Sequence, residues 1–419
     1  MLPYGDKIMY WGKAVFITGF AQMVVQVVGF LSGILVIRLL PIQEYALYTL
    51  ANTMLGTMAI LSDGGISTGV TAEGGKVWKD PEKLGVVLAT GLDLRRKFAI
   101  GSLMISIPIL FYLLVDNGAS WLSSVLIVLS LIPAFYAALS NSLLEIAPTL
   151  HQSILPLQKN EMVVGLGRLG LTALTLFIFP WTFVAILASG IPGIYGNIQL
   201  KKISRNFVDK TALPDALIRK KILKVVSGVL PGAIYYSLSG QITIWLISVF
   251  GNVTSVAQLG AIGRLVVVLT LFSSVFFTLL VPRFTRLEAD ANLLMKRFLI
   301  TLGLLILVCI TVTALFWIFS YQILWVLGDS YSNLNEELIL FIVGSCAGLL
   351  TGIIFSMSSS RGWILNPYLY ISLSIVTIIT GIMFFNIATL KGILIFNIYV
   401  NAVQAVIYLI YTFLKIQKQ

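Results

Sequence analysis

Four ionisable side chains stand inside otherwise apolar stretches of this sequence: Arg38, Asp63, Arg168 and Arg264. A charge surrounded by hydrocarbon costs at least a few kcal/mol, so it calls for a partner or a water-filled cavity. Arginine suits an anion site, because its planar fork binds phosphate oxygens two at a time and keeps its proton. Arg264 and Arg168 lie about ten and about eight residues into their stretches, roughly 15 Å deep at the helical rise. That is too far for snorkelling to a headgroup region. Each reads either as half of a structural clamp or as a cavity cation that receives an anion. Arg38, just before Pro41, is placed to snorkel and stands as a third candidate.

Asp63 belongs to LSDGGISTG, Leu61 to Gly69. With Gly64 and Gly65 behind it, its carboxylate could end or kink a helix by accepting a backbone N–H or by pairing with a cation from the inner side. The other reading is a titratable group that couples transport to a proton or sodium gradient. Further polar groups at depth are Gln22, Gln26, Asn52, Tyr235, Tyr236 and Gln241. Gln22 and Gln26 share a helix face, as interhelical hydrogen-bonding partners or as cavity lining. Amides and tyrosines that faced a cavity would suit a polyhydroxylated ligand such as a sugar.

The elements that must position these groups follow from hydropathy. The 419 residues are 58% apolar and 11% charged, with a mean hydropathy of +0.97, far from soluble composition. The apolar residues fall into twelve segments of bilayer-crossing length, 14–40, 46–70, 98–115, 119–144, 161–179, 181–200, 223–250, 254–282, 298–320, 337–357, 367–387 and 392–413. Segments of this length without alternation must be helices, which satisfy their own backbone hydrogen bonds in lipid. The chain therefore reads as an all-α integral membrane protein.

Charge sets the orientation. With both termini placed in the cytoplasm, the inner segments hold nearly all of the 28 Lys and Arg residues, whereas the outer loops hold Lys391 with Glu44, Asp116, Asp329, Glu336 and Glu337. The net charge of +11 is then a matter of topology and attraction to anionic membrane lipids, not of nucleic-acid binding. Cys309 and Cys346 sit in apolar spans and read as packing residues, and His151 reads as a solvated loop residue. Nothing has metal-ligand spacing. The first apolar run is too long for a signal-peptide core and reads as an uncleaved span. The longest hydrophilic segments, 71–97 and 201–222, are too short for a separate soluble domain.

The basic segment 201–222 divides the chain into two groups of six spans, and an offset of 211 residues superposes their hydropathy. Lobes are thus expected at 1–200 and 223–419, with 201–222 as a cytoplasmic linker. Six is even, so the halves enter from the same side as parallel repeats around a central cavity, an arrangement made for alternating access.

The run GFLSGILVIRLLPIQEYALYTLANTMLGTMAILSDGGIS resembles the first two spans of polysaccharide flippases in the multidrug/oligosaccharidyl-lipid/polysaccharide exporter superfamily. The likeness lies in the Arg-Leu-Leu-Pro end of the first span, the Glu-Tyr that opens the second and the Ser-Asp-Gly that closes it. QLGAIGRLVVVLTLFSSVFFTLLVPRFTRL resembles that family's eighth span, with Arg264 where an Arg-Leu pair is common. Ala46 stands where the family usually has Gly.

The resemblance implies a bacterial inner-membrane flippase that moves an undecaprenyl-diphosphate-linked oligosaccharide, such as an O-antigen repeat unit, from the cytoplasmic to the periplasmic leaflet. It needs no cofactor beyond an H+ or Na+ coupling ion. Implied partners are the lipid-linked cargo, membrane lipids and glycan-assembly proteins such as a polymerase and a chain-length regulator. Arg264, Arg168 and Arg38 would meet phosphate or acidic sugar, Gln22, Gln26, Asn52, Tyr235, Tyr236 and Gln241 would line the passage, and Asp63 would couple the ion. A multidrug cation exporter of the same superfamily would want intramembrane acids, yet these spans carry three Arg to one Asp. A lipid II flippase would carry extra spans. A membrane-embedded glycan enzyme is disfavoured because the outer loop from Tyr321 to Glu336 has no Lys, Arg or His.

Overall fold

A computed structural model of the chain describes residues 23–417 apart from 210, 268, 271, 272, 274, 275, 277–279, 286, 288, 289 and 364. Among the described residues the regular structure is helical, with no strand. Contacts divide the chain into two compact units, Met1–Gln241 and Ile242–Gln419.

The first unit contains α1 (Met23–Leu39), α2 (Ile42–Asp63), α3 (Ile66–Val77), α4 (Pro81–Asp116), α5 (Trp121–Leu144), α6 (Ile146–Leu150), α7 (Ile154–Leu176), α8 (Thr182–Ser204) and α9 (Ala216–Phe250) as far as Gln241. The second contains the rest of α9, α10 (Val253–Gly263) with the 3-10 turn Arg264–Val266, α11 (Val281–Thr285), α12 (Ala291–Ile318), α13 (Ser320–Leu327), α14 (Asn335–Ser360), α15 (Pro367–Phe384) and α16 (Leu390–Ile416). Seven of the described spans are long and apolar enough to cross a membrane: α4, α5 with α6, α8, α12, α14, α15 and α16. α1 and the runs Leu238–Phe250 and Val253–Val266 are shorter apolar helices.

The twelve predicted spans fall mostly on helix where they are described, and several differ in extent, the fifth, seventh and ninth beginning about two turns earlier than predicted, at Ile154, Ala216 and Ala291. The second predicted span is broken into α2 and α3, and α4 begins at Pro81, well before the predicted start at 98. The early start has a local cause: Asp80 accepts hydrogen bonds from the backbone N–H of Glu82 and Lys83, and Pro81 occupies the first helical position, where its missing donor costs nothing. The Lys83 ammonium, hydrogen-bonded to Asp80, holds that carboxyl below its ordinary range. Ser120, Asn252, Asp290, Asn366 and Thr389 open α5, α10, α12, α15 and α16 in the same way.

Helices in lipid gain little from burying apolar groups against one another, so their seams need close approach and hydrogen bonds. α5 meets α8 where Gly190 lies against the Ala134 backbone and Gly193 against Ala137, and Asn197 donates across the seam to the Ala137 carbonyl at 3.1 Å. α14 meets α16 through Gly344 and Gly348, which face the Asn397 and Asn401 side chains, while Thr351 donates to the Asn401 carbonyl. Large exposed residues such as Trp121, Phe177, Trp181, Trp317, Tyr321 and Trp325 lie at the ends of helices assigned to the outer side, where amphipathic aromatics prefer the membrane interface.

Segment 201–222 is laid along α4. Asp209 N–H donates to the Pro81 carbonyl, Asp215 N–H to Thr90 Oγ1, and the Arg219 guanidinium to Asp93 at 2.8 Å. Ile222 and Val226 on α9 enter one apolar core with Ile66, Val70, Val87, Leu143 and Leu200. The boundary between the compact units falls inside α9, whose Ile222 and Val226 are buried in the first unit's core.

Candidate functional site

The LSDGG stretch forms the junction between α2 and α3. Gly64 and Gly65 both take left-handed backbone, with φ of 50° and 95°, which side chains other than glycine rarely tolerate. Their turn leaves the first N–H groups of α3 without helical acceptors, and Asp63 supplies them: its carboxylate accepts from Gly65 N at 3.3 Å, Ser67 N at 3.2 Å and Ser67 Oγ at 2.5 Å. Both of its oxygens are engaged. Asp63 thus caps the start of α3 at this junction.

Its ionic partner is Arg95, with Nη1 3.3 Å from Asp63 Oδ1. Arg95 was not among the predicted site residues. It sits in the fifth turn of α4, 4% exposed, and the same nitrogen also donates to Ser67 Oγ at 3.3 Å and to Ser142 Oγ on α5. Arg95 Nε is buried with no acceptor among the described residues. The sequence did contain a signal for this placement. Leu84, Leu88, Gly91 and Arg95 recur at helical spacing and are buried, so the arginine lies on the inward stripe of a helix that starts at Pro81. Counting it among loop cations hid that.

Asp63 and Arg95 share the wall of a cavity of about 320 Å3 with Ala59, Ile60, Gly65, Thr68 and Val229. All of these residues belong to the first unit. The Thr68 side chain is exposed at its rim. Along α4 beyond Arg95, Ile100, Met104 and Ile105 are exposed apolar groups, as a lipid-facing surface requires.

The predicted site residues are dispersed. Arg38 is exposed near the end of α1, and Arg168 is exposed on α7. Arg264 is half-buried in the 3-10 turn after α10, in the second unit, and is not without a partner. Gln26, Asn52, Tyr235 and Gln241 are half-buried, and the Asn52 amide nitrogen is buried without an acceptor among the described residues. Gln22 and the side chain of Tyr236 lie outside the described residues. Asp63 is the one predicted site residue on the wall of this cavity. His151, expected to be solvated, is half-buried instead: its ring lies 5.3 Å from that of Trp78 and 4.7 Å from that of Phe207, and its Nδ1 is 2.9 Å from the Ala147 carbonyl oxygen. The helix end that carries it folds back onto the α3–α4 turn, which the loop composition did not reveal.

No family model matches the chain, and no curated protein matches it by sequence. Solved structures do match over most of its length. An inward-facing multidrug resistance MATE family transporter of the MOP superfamily superposes with a TM-score of 0.72 at 15% identity, covering 94% of this chain and 95% of the other. The outward-facing conformation of such a transporter gives 0.56 at 14% identity, over 95% and 93% of the two chains. A MOP superfamily transporter from Pyrococcus furiosus, described as having a binding pocket of reverse polarity that suggests a different function, gives 0.61 at 15% identity over 97% and 96%. The chain has the all-helical fold of the MATE transporters.

Proposed function

We propose that this chain is a flippase of the bacterial inner membrane that carries an undecaprenyl-diphosphate-linked oligosaccharide, an O-antigen-type repeat unit, from the cytoplasmic to the periplasmic leaflet. Alternating access, driven by an H+ or Na+ gradient, is the mechanism. The observation that carries the transporter reading is the likeness of 94% and 97% of the chain to two transporters of the MOP superfamily.

The cargo reading is supported by two cations set into the helices, Arg95 buried in α4 and Arg264 half-buried after α10. Arg264 and Arg95 are fixed cations inside helices, and Asp63, the acid among the predicted site residues, is engaged by Arg95 and by the α3 N–H groups. A carboxylate so occupied has little left with which to attract a cationic drug, whereas a guanidinium suits a diphosphate. The names of the multidrug MATE neighbours favour a second reading, export of drug cations.

Deleting the gene in its source organism separates the two. The proposal expects loss of surface glycan with accumulation of the lipid-linked precursor, restored by the wild-type chain but not by Arg264→Ala at equal protein level. Normal surface glycan with heightened sensitivity to cationic drugs would put the exporter in its place.

A further inference from the structure

We infer that Cys309 and Cys346 form a dithiol site in the middle of the membrane, closed to a disulfide by a lipid-dissolved quinone. The chain holds two cysteines, and they stand on neighbouring helices of the second unit, Cys309 on α12 and Cys346 on α14. Cys309 Sγ lies 4.0 Å from the Cys346 carbonyl oxygen, and Cys346 Sγ lies 3.9 Å from the Cys309 carbonyl oxygen. These reciprocal contacts set the thiols against each other across one seam. A disulfide needs that arrangement, because its two sulfurs must meet without moving the backbone far. Both cysteines are free and buried, 7% and 5% exposed. Packing asks only for a small apolar side chain at each position, not for two thiols side by side.

Depth decides what can react with the pair. Cys309 is central in the predicted span 298–320 and Cys346 in 337–357, so both lie near the bilayer midplane. Beside Cys309 on α12, Ile306, Leu307 and Ile310 are exposed apolar residues, as a lipid-facing surface requires. Ions enter hydrocarbon only at great cost, so a metal ion or a water-soluble disulfide has no ready path to the site. A quinone dissolves in that layer and carries no charge. The exchange is neutral throughout: the S–H bonds of Cys309 and Cys346 break, one S–S bond forms between them, and the two hydrogens with their two electrons pass to the quinone, which leaves as hydroquinone. No charge remains in the dry interior. The new bond ties α12 to α14 at mid-depth, next to a weak contact between Thr313 Oγ1 and Cys346 Sγ at 4.0 Å. A transport cycle that shifts these helices against each other stops while the bond is closed, so the pair acts as a brake set by the oxidation state of the membrane. The brake rests on the flippase reading; the thiol chemistry does not.

The test uses the full wild-type chain in nanodiscs, reduced and then held under argon with decylubiquinone, whose fully substituted ring cannot add a thiol, or with oxidised glutathione. Thiols are counted by maleimide mass tagging after denaturation. Decylubiquinone should remove both tags and lower the mass by two hydrogens, and dithiothreitol should restore both. Oxidised glutathione should close the pair at least about tenfold more slowly, because thiol–disulfide exchange needs an ionised thiol and access from water. Cys346→Ser leaves one thiol, which should stay open to tagging under quinone. In proteoliposomes, decylubiquinone should abolish lipid flipping by the wild type, reversibly with dithiothreitol, and should leave a chain with both cysteines changed to serine unaffected. Thiols that remain taggable under decylubiquinone would overturn the site, as would closure by oxidised glutathione at the same rate. Closure with unchanged flipping would keep the site and reject the brake. Reduced wild type that flips no lipid would reject the flippase reading and leave the thiol result standing.

Discussion

At the scale of single residues, Asp63 and Gly65 show how one short sequence does two tasks. Gly65 has φ of 95°, and a Cβ built on it would come within 2.8 Å of Val229. Gly65→Ala combines backbone strain with a clash, together about 1–3 kcal/mol, and should lower the Tm of the purified protein measurably. Asp63→Ala removes the α3 acceptor and leaves the Arg95 charge buried. Breaking a buried pair costs about 3–5 kcal/mol, reduced here because the Asp63 side chain is 26% exposed. Asp63→Asn keeps an oxygen for the α3 N–H groups and should recover part of that stability. Equal Tm values for the Ala and Asn variants would show that the cap contributes nothing. The same Asn variant, assayed for transport against pH and sodium, separates coupling from structure: unaltered ion dependence would leave Asp63 with its structural role alone.

At the scale of elements, Glu44 ties two helices. Its carboxylate accepts from Thr182 N at 2.7 Å and from Thr182 Oγ1 at 2.6 Å, so the first turn of α2 caps the first turn of α8. Glu44→Gln retains an acceptor, whereas Glu44→Ala should cost about 1 kcal/mol, read as a lower Tm and faster proteolysis near residue 181; identical behaviour of the two variants would remove the cap from the account. The Glu-Tyr pair that opens the second span was legible in the sequence as a family-like feature. Its partner Thr182 was not, because it lies 138 residues away and a single sequence carries no trace of that distance. The break at Gly64–Gly65 was legible from residue type. Arg95 was missed for a different reason: hydropathy places a helix where it is apolar enough for lipid, and α4 runs on as an amphipathic helix over its first four turns, from the Asp80 cap onward. Twelve helical segments could be read because length and apolarity alone determine them, but the depth and facing of Arg38 and Arg168, both exposed, depend on neighbours that hydropathy does not encode.

At the scale of the whole molecule, the two compact units and the distribution of charge carry the functional argument. The basic segment after α8 is pinned to α4 by Asp209, Asp215 and Arg219, so it moves with the first unit instead of acting as a loose tether. Topology is open to direct test. Single cysteines placed at the exposed positions Lys202 and Lys391, in a chain with Cys309 and Cys346 replaced by Ser, should be labelled by an impermeant maleimide from opposite sides of the membrane; labelling from one side would overturn the orientation. The central claim, that this fold moves an anionic glycolipid, is tested most directly in proteoliposomes that hold a fluorescently labelled undecaprenyl-diphosphate disaccharide, with dithionite reporting the dye in the outer leaflet. The account predicts that the purified protein speeds the loss of protected fluorescence, that an ion gradient speeds it further, and that Arg264→Ala abolishes the gain. Fluorescence as well protected as in protein-free vesicles, in vesicles where the same protein transports a cationic dye, would contradict it.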